Sequence, residues 1–263
     1  MGVVNATPDS FSDGGDRFDP DLAIEAALRM ADEGAQIVDI GGESTRPGAP
    51  PIDAAEEWRR VAPIFEGLRG RISIALSIDT YKADVAERAI DLGAAIVNDV
   101  SALTYEPSLA EVVARTGVAV VLMHNRGRSA DMYARAEYGD VVEDVRRELA
   151  ERDAFARAAG IAADRIILDP GIGFAKRASQ SFAVLAGLSR LAGLDRPLLV
   201  GPSRKSYLKQ ALGDVPVDGR GWGTAAAVSA SALLGAHIVR VHDVKAMSDV
   251  VKVADEIASN VID

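Results

Sequence analysis

The chain has 263 residues, 48% apolar and 26% charged, with a formal net charge of −10 and no cysteine. This composition describes a folded globular chain rather than a disordered one, and the missing thiols exclude disulfides, cysteine nucleophiles, iron–sulfur clusters and cysteine-ligated zinc. The acidic balance argues against a general nucleic-acid binder, so an anionic ligand must meet a local cluster of cations.

From the N-terminus, a strand pattern at 2–5 is followed by a helical one at 22–34, then 36–40 by 54–68 and 72–78 by 82–92. The alternation continues with 95–100 and 108–116, 118–123 and 141–159, and 165–168 and 179–192. It ends with 197–200 and 223–234, then 237–241 and 245–259. Asp19-Pro20 precedes the first helix, and Gly34, Gly93, Gly117 and Gly160 stand just past helix ends, where start and stop signals belong. The strand patterns are continuous apolar runs, as expected of strands buried on both faces. Eight units of about 33 residues predict an α/β fold, a single-domain (β/α)8 TIM barrel over residues 1–263. The alternative, a doubly wound open sheet, usually carries a Gly-rich dinucleotide turn after its first strand, and this sequence has none. The longest apolar run is too short to cross a membrane, the first residues lack the pattern of a secretory signal, and the expected location is the cytoplasm.

In such a barrel the active site lies at the C-terminal ends of the strands. The residues at or just past those ends are Asn5, Asp39, Asp79, Asn98, His124, Asp169, the run Ser203-Arg204-Lys205, and Arg240 with His242. One polar residue at a strand end is only the start of a loop. Eight in succession, beside an apolar core, need partners, because an unpaired buried polar group costs several kcal/mol. Asp79, Asn98, Asp169 and Lys205 offer the acceptors and donor that match the edge of a nitrogen heterocycle. Arg46, Arg240 and His242 suit a phosphate or diphosphate, and with ligand phosphates the Asn5 oxygen could complete a Mg²⁺ shell. The run Ser203–Ser206 lacks Walker spacing, although Ser206 is placed to cap a following short helix. Loops 7–17 and 41–51 are long enough to act as lids. His237 reads as a packing or surface residue, Trp58 and Trp222 as packing residues rather than stacking platforms, and the stretch 143–153 as a solvated, salt-bridged helix face.

The runs MGVVNATPDSFSDGG (1–15), DIGGESTRPGA (39–49), SIDT (77–80), NDV (98–100), VLMH (121–124), DPGIGF (169–174), GPSRKS (201–206) and RVHDV (240–244) together resemble the dihydropteroate synthase family, in order and over nearly the whole chain. That resemblance implies a transferase of folate biosynthesis that condenses (7,8-dihydropterin-6-yl)methyl diphosphate with 4-aminobenzoate. It implies that Asp79, Asn98, Asp169 and Lys205 hold the pterin, with Met123 and Phe174 against its ring. Thr45, Arg46, Arg240 and His242 would take the diphosphate, and Asn5 the Mg²⁺. Phe11, Thr45, Pro47, Ser203 and Ser206 would shape the aminobenzoate pocket, which sulfonamides would contest. Lys205, Asp79, Arg240, His242 and Asn5 are the catalytic set it implies. It also implies a homodimer, with helices 224–234 and 250–261 as candidate faces, and no nucleic-acid or membrane partner. Ala175 and Asn125 depart from the family, standing where Gly and Met are common. A methyltetrahydrofolate:corrinoid methyltransferase and a catalytically silent pterin-binding barrel are the alternatives. The first would not need the SRKS run or the Arg46 and Arg240 cluster, and the second would be expected to lose Asn5, Arg46 or Lys205.

Overall fold

The computed structural model describes residues 1–7, 19–45, 48–128 and 131–260. Among these, the chain begins β1 (Gly2–Asn5), α1 (Pro20–Asp32), β2 (Ile37–Gly41), α2 (Ala54–Leu68), β3 (Ala75–Asp79), α3 (Ala83–Asp91), β4 (Ala94–Asp99) and α4 (Leu109–Thr116). It continues β5 (Ala119–Met123), α5 (Val141–Ala158), β6 (Ile166–Asp169), α6 (Ala178–Ala186) and α7 (Leu188–Leu191). The last elements are β7 (Leu199–Val200), α8 (Lys209–Leu212), α9 (Gly221–Leu233), β8 (Ile238–Val239) and α10 (Val244–Ser259).

Strands β1 to β6 pair in parallel in sequence order, and β7 pairs with β8. Two isolated parallel bridges, Gly2 with Val241 and Leu168 with Leu198, join the two sheets into a ring. The Val241 N–H donates to Met1 O and the Leu168 N–H to Pro197 O, each at 2.9 Å. The strands therefore close into the predicted (β/α)8 barrel. Alternation along each strand sorts the side chains. Val4, Val38, Ile40, Leu76, Ile78, Val97, Val120 and Leu122 face outward into one apolar layer with Ile24, Val61, Ile64, Phe65 and Leu68 of the helices. A separate cluster of Ile96, Val121 and Leu199, with Met1, Ile37, Ala119, Ile167 and Ile238 against it, fills the lower lumen. The polar strand ends sit above that plug.

Local signals set the helix starts. Asp19 caps α1, its Oδ1 accepting the Asp21 N–H at 2.9 Å, so the helix begins at Pro20 rather than at 22. Asp53 and Asp140 cap α2 and α5 in the same way. The predicted helix 179–192 is instead two helices, broken at Gly187 beside the Val142 side chain. The strand predicted at 72–78 starts at Ala75, and β7 and β8 have two residues each. Apolar content had overextended these strands, because Ile72 and Ile74 pack at the barrel's edge without pairing in its ladder.

Candidate active site

Asp39, fully buried in β2, is the hub of the upper lumen. Its Oδ2 accepts from Arg240 Nε at 2.7 Å and from Asn98 Nδ2 at 2.8 Å. The other arm of Arg240, Nη2, donates to Asp79 Oδ2 at 2.8 Å, so one guanidinium bridges the ends of β2 and β3. Asp79 is the register partner of both Gly41 and Asn98. A Cβ on Gly41 would lie 3.1 Å from that of Asp79, so a larger residue there would crowd the carboxylate. Burial raises the Asp79 pKa, the Arg240 charge opposes it, and the Asp39 charge adds to it. Asn98 commits one N–H of its amide to Asp39, and its Oδ1 is the acceptor it can offer a ligand.

Opposite this hub stands the loop after β6. Asp169 Oδ1 accepts the Gly171 N–H at 2.7 Å. Gly171 has φ +67°, and a Cβ there would come within 2.0 Å of the His124 carbonyl oxygen, so this turn admits only glycine. Lys205, from the loop after β7, donates to Ile172 O at 2.6 Å and holds its Nζ 4.5 Å from the centre of the Phe174 ring. Burial pushes the Lys205 ammonium down to about 8 against the pull of Asp169, and burial raises Asp169 against the pull of Lys205. Met123 is buried at the end of β5, in register with Asp169. The two sides thus frame a slot with carboxylates and an amide oxygen as acceptors, an ammonium as donor, and apolar walls.

At the rim, Ser203 Oγ accepts the His242 N–H at 3.3 Å and lies 2.9 Å from His242 Nδ1. Asn5 is half-buried at the end of β1, and Thr45 is half-buried in the loop after β2. Ser206 is exposed and opens a short 3₁₀ turn whose cap position falls to Lys205, without a side-chain cap bond, so the predicted Ser206 cap does not form. Phe11, Arg46 and Pro47, and most of loop 7–17, lie outside the described residues.

Several features were not read from the sequence. Asp39 was noted at a strand end but not placed in the site. Lys82 is buried between Glu57, with which it pairs, and Glu43, at 2.6 Å. Glu43 also accepts from Tyr81 Oη at 3.1 Å and from the Ile52 N–H at 3.2 Å, which ties both ends of the loop after β2 to one carboxylate. The helix face 143–153 is only partly a solvated one. Arg146 and Arg147 pair along it, but Asp153 is buried against Arg157 and Arg196, Glu148 turns toward His124, and Arg152 donates to Ala102 O. Trp58 packs on the core as expected, whereas Trp222 is 90% exposed in the first turn of α9. Ala175, where glycine is common, sits at φ +47°, and Asn125 Oδ1 is buried without a hydrogen-bond partner.

Residues 1–242 match the model of the pterin-binding enzymes. Dihydropteroate synthase of Synechocystis sp. is 46% identical over 255 residues, 97% of this chain and 88% of the relative. Dihydropteroate synthase of Xanthomonas albilineans, solved with 4-aminobenzoic acid, superposes with a TM-score of 0.93 at 43% identity, covering 100% of this chain and 93% of that one. The same enzyme in complex with 7,8-dihydropteroate superposes with a TM-score of 0.89 at 40% identity, covering 100% and 94%. A closed barrel, a polar slot above an apolar plug, and these matches over nearly the full length place the chain in the pterin-binding enzyme family, among the dihydropteroate synthases.

Proposed function

We propose that this chain, a single barrel domain, joins (7,8-dihydropterin-6-yl)methyl diphosphate to 4-aminobenzoate, giving 7,8-dihydropteroate and diphosphate. The observation that carries the reading is the convergence of Asp79, Asn98 and Asp169 with a Lys205 stacked on Phe174, a set of acceptors and one donor suited to a flat heterocycle. The ligands named for the Xanthomonas albilineans enzyme support the substrate assignment. In this reading Asp79, Asn98, Asp169 and Lys205 hold the pterin edge, and Met123 and Phe174 contact its ring. Arg240 has Nε and Nη2 committed to Asp39 and Asp79, which fixes the guanidinium and leaves Nη1 for a diphosphate oxygen, with Thr45, Arg46 and His242 completing that subsite. Phe11, Thr45, Pro47, Ser203 and Ser206 line the aminobenzoate pocket, where sulfonamides would compete.

The C–O bond between the pterin methylene and the diphosphate breaks first, and its electron pair leaves with the diphosphate. The pterin-methyl cation that remains is stabilised by the preorganised carboxylates beside it. The amine of 4-aminobenzoate then forms the C–N bond and gives up one proton. No nucleophile on the protein is required. Asn5 is a neutral oxygen donor at the end of β1, and no cluster of three or more His, Asp or Glu among the described residues could hold an ion alone. That donor set fits Mg²⁺ carried in largely by the diphosphate, an ion that keeps few protein ligands and would supply charge neutralisation to the leaving group.

We further read the protein as a homodimer in the cytoplasm. Leu233 on α9 with Val253 and Ile257 on α10 are exposed apolar side chains on the helices where pairing is expected. No helix among the described residues is long and apolar enough to cross a membrane. The reading is tested by expressing the chain in a bacterium whose own dihydropteroate synthase gene is deleted. Growth without added folate end products is the expected result, lost with Lys205→Ala; no growth from well-expressed soluble chain contradicts the reading.

A further inference from the structure

In the loop between β6 and α6, every backbone carbonyl from Gly171 to Ala175 is taken by a side chain. Lys176 Nζ donates to Gly171 O and to Phe174 O, each at 3.1 Å. Lys205 Nζ takes Ile172 O at 2.6 Å, Tyr133 Oη takes Gly173 O at 3.2 Å, and Tyr138 Oη takes Ala175 O at 2.9 Å. Surface loops ordinarily leave such groups to water, so five consecutive carbonyls held by four side chains describe a wall built to hold its shape.

Lys176 is the innermost of these partners, 2% exposed. Its third contact is His124 Nδ1 at 2.8 Å. The other ring nitrogen, Nε2, lies 3.0 Å from Glu148 Oε2, and the same carboxylate pairs with Arg126. A carboxylate facing Nε2 places the imidazole proton there, so Nδ1 accepts and all three N–H groups of the Lys176 ammonium are used. Burial pushes Lys176 down to about 7, opposed by the Asp169 charge; it pushes His124 down to about 4, aided by the Lys176 charge, which keeps the imidazole neutral.

We propose that Lys176 is a positioning residue for the pterin subsite, its ammonium, oriented by His124 and Glu148, fixing the loop on which Lys205 is seated. The two carbonyls it holds, Gly171 and Phe174, bracket the Ile172 carbonyl that takes Lys205 Nζ, and one of them belongs to the residue whose ring lies under that Nζ. Lys176 acts through this loop and not by touching the ligand, since its donors are already committed. The inference rests on the assignment of this slot to a pterin.

The test is calorimetric binding of two probes, 6-hydroxymethylpterin and inorganic diphosphate, to the wild-type protein, Lys176→Met and His124→Ala. Lys176→Met keeps the length and removes the donors. It should raise the pterin dissociation constant by at least about tenfold while leaving that of diphosphate within about twofold, because misplacing a seat by an ångström is felt only where the seat is used. His124→Ala keeps the lysine but loses its orienting partner and should weaken pterin binding by roughly three- to tenfold. Unchanged pterin affinity in folded Lys176→Met, or equal loss of both probes, overturns the proposal. If Lys176→Met does not fold, His124→Ala decides by the same split. A wild-type protein that binds diphosphate but no pterin refutes the pterin assignment itself, and the role of Lys176 with it.

Discussion

Replacing Asp39 by alanine removes the acceptor shared by Arg240 and Asn98. Asp39 is fully buried and Arg240 is 21% exposed at its side chain, so the change leaves a mostly buried guanidinium with one partner where it had two, and an amide N–H with none. Breaking a buried ion pair by removing one member costs about 3–5 kcal/mol. Asp79 still holds Nη2 at 2.8 Å, which puts this case at the lower end, about 3 kcal/mol. In a chain of this size each kcal/mol moves Tm by about 2–4 °C, so Asp39→Ala should melt about 6–12 °C lower in thermal unfolding followed by far-ultraviolet circular dichroism. Adding Arg240→Met should not add its own full penalty, because the stranded charge is then gone; the double variant should melt above the sum of the single losses. A drop below about 2 °C for Asp39→Ala, or strict additivity in the pair, would refute the view that this triad is one coupled unit.

Four further outcomes are expected. Lys205→Ala should lower turnover by about 10³-fold or more, as loss of a preorganised charge beside the reacting carbon does, while Asp169→Asn should raise the pterin dissociation constant about 10–100-fold and that of 4-aminobenzoate much less; a loss confined to aminobenzoate would mean the two pockets are assigned in reverse. The kcat/KM for the pterin substrate should fall on the alkaline side with an apparent pKa of about 8, since burial lowers Lys205 to that value and only its protonated form carries the charge the site uses; a flat profile from pH 7 to 9.5 would exclude that role. Gly171→Ala should give insoluble or unfolded protein, because its methyl would meet the His124 carbonyl at 2.0 Å in a backbone already at φ +67°; a variant that folds and binds pterin normally would refute the tightness of this turn.

The barrel was legible because short continuous apolar runs and longer helical patterns alternate eight times, and because the polar residue at each strand end interrupts an apolar run. Asp79, Asn98, Asp169 and Arg240 could be placed from that signal alone. Asp39 gave the same signal but not its role as hub, which depends on Arg240 reaching across from a strand 201 positions away. The clamps on the loops were invisible for a related reason. Tyr133 and Tyr138 reach the β6 loop from 40 and 37 residues upstream, and Lys82 reaches Glu43 across 39, separations with no periodic signature. Trp222 misled because a large aromatic residue is usually buried, whereas its place in the first turn of α9 points it outward. The helix 179–192 was read as continuous because Gly187 interrupts its apolar pattern only once; the break falls at this glycine, where any Cβ would meet the Val142 side chain of α5 at 2.7 Å.

The most direct test of the central claim is the release of diphosphate from (7,8-dihydropterin-6-yl)methyl diphosphate by the purified protein with Mg²⁺, measured with and without 4-aminobenzoate. The account predicts sustained release that requires 4-aminobenzoate and yields one 7,8-dihydropteroate for each diphosphate. Tight pterin binding with no turnover, or steady release that ignores 4-aminobenzoate and forms no dihydropteroate, would contradict it.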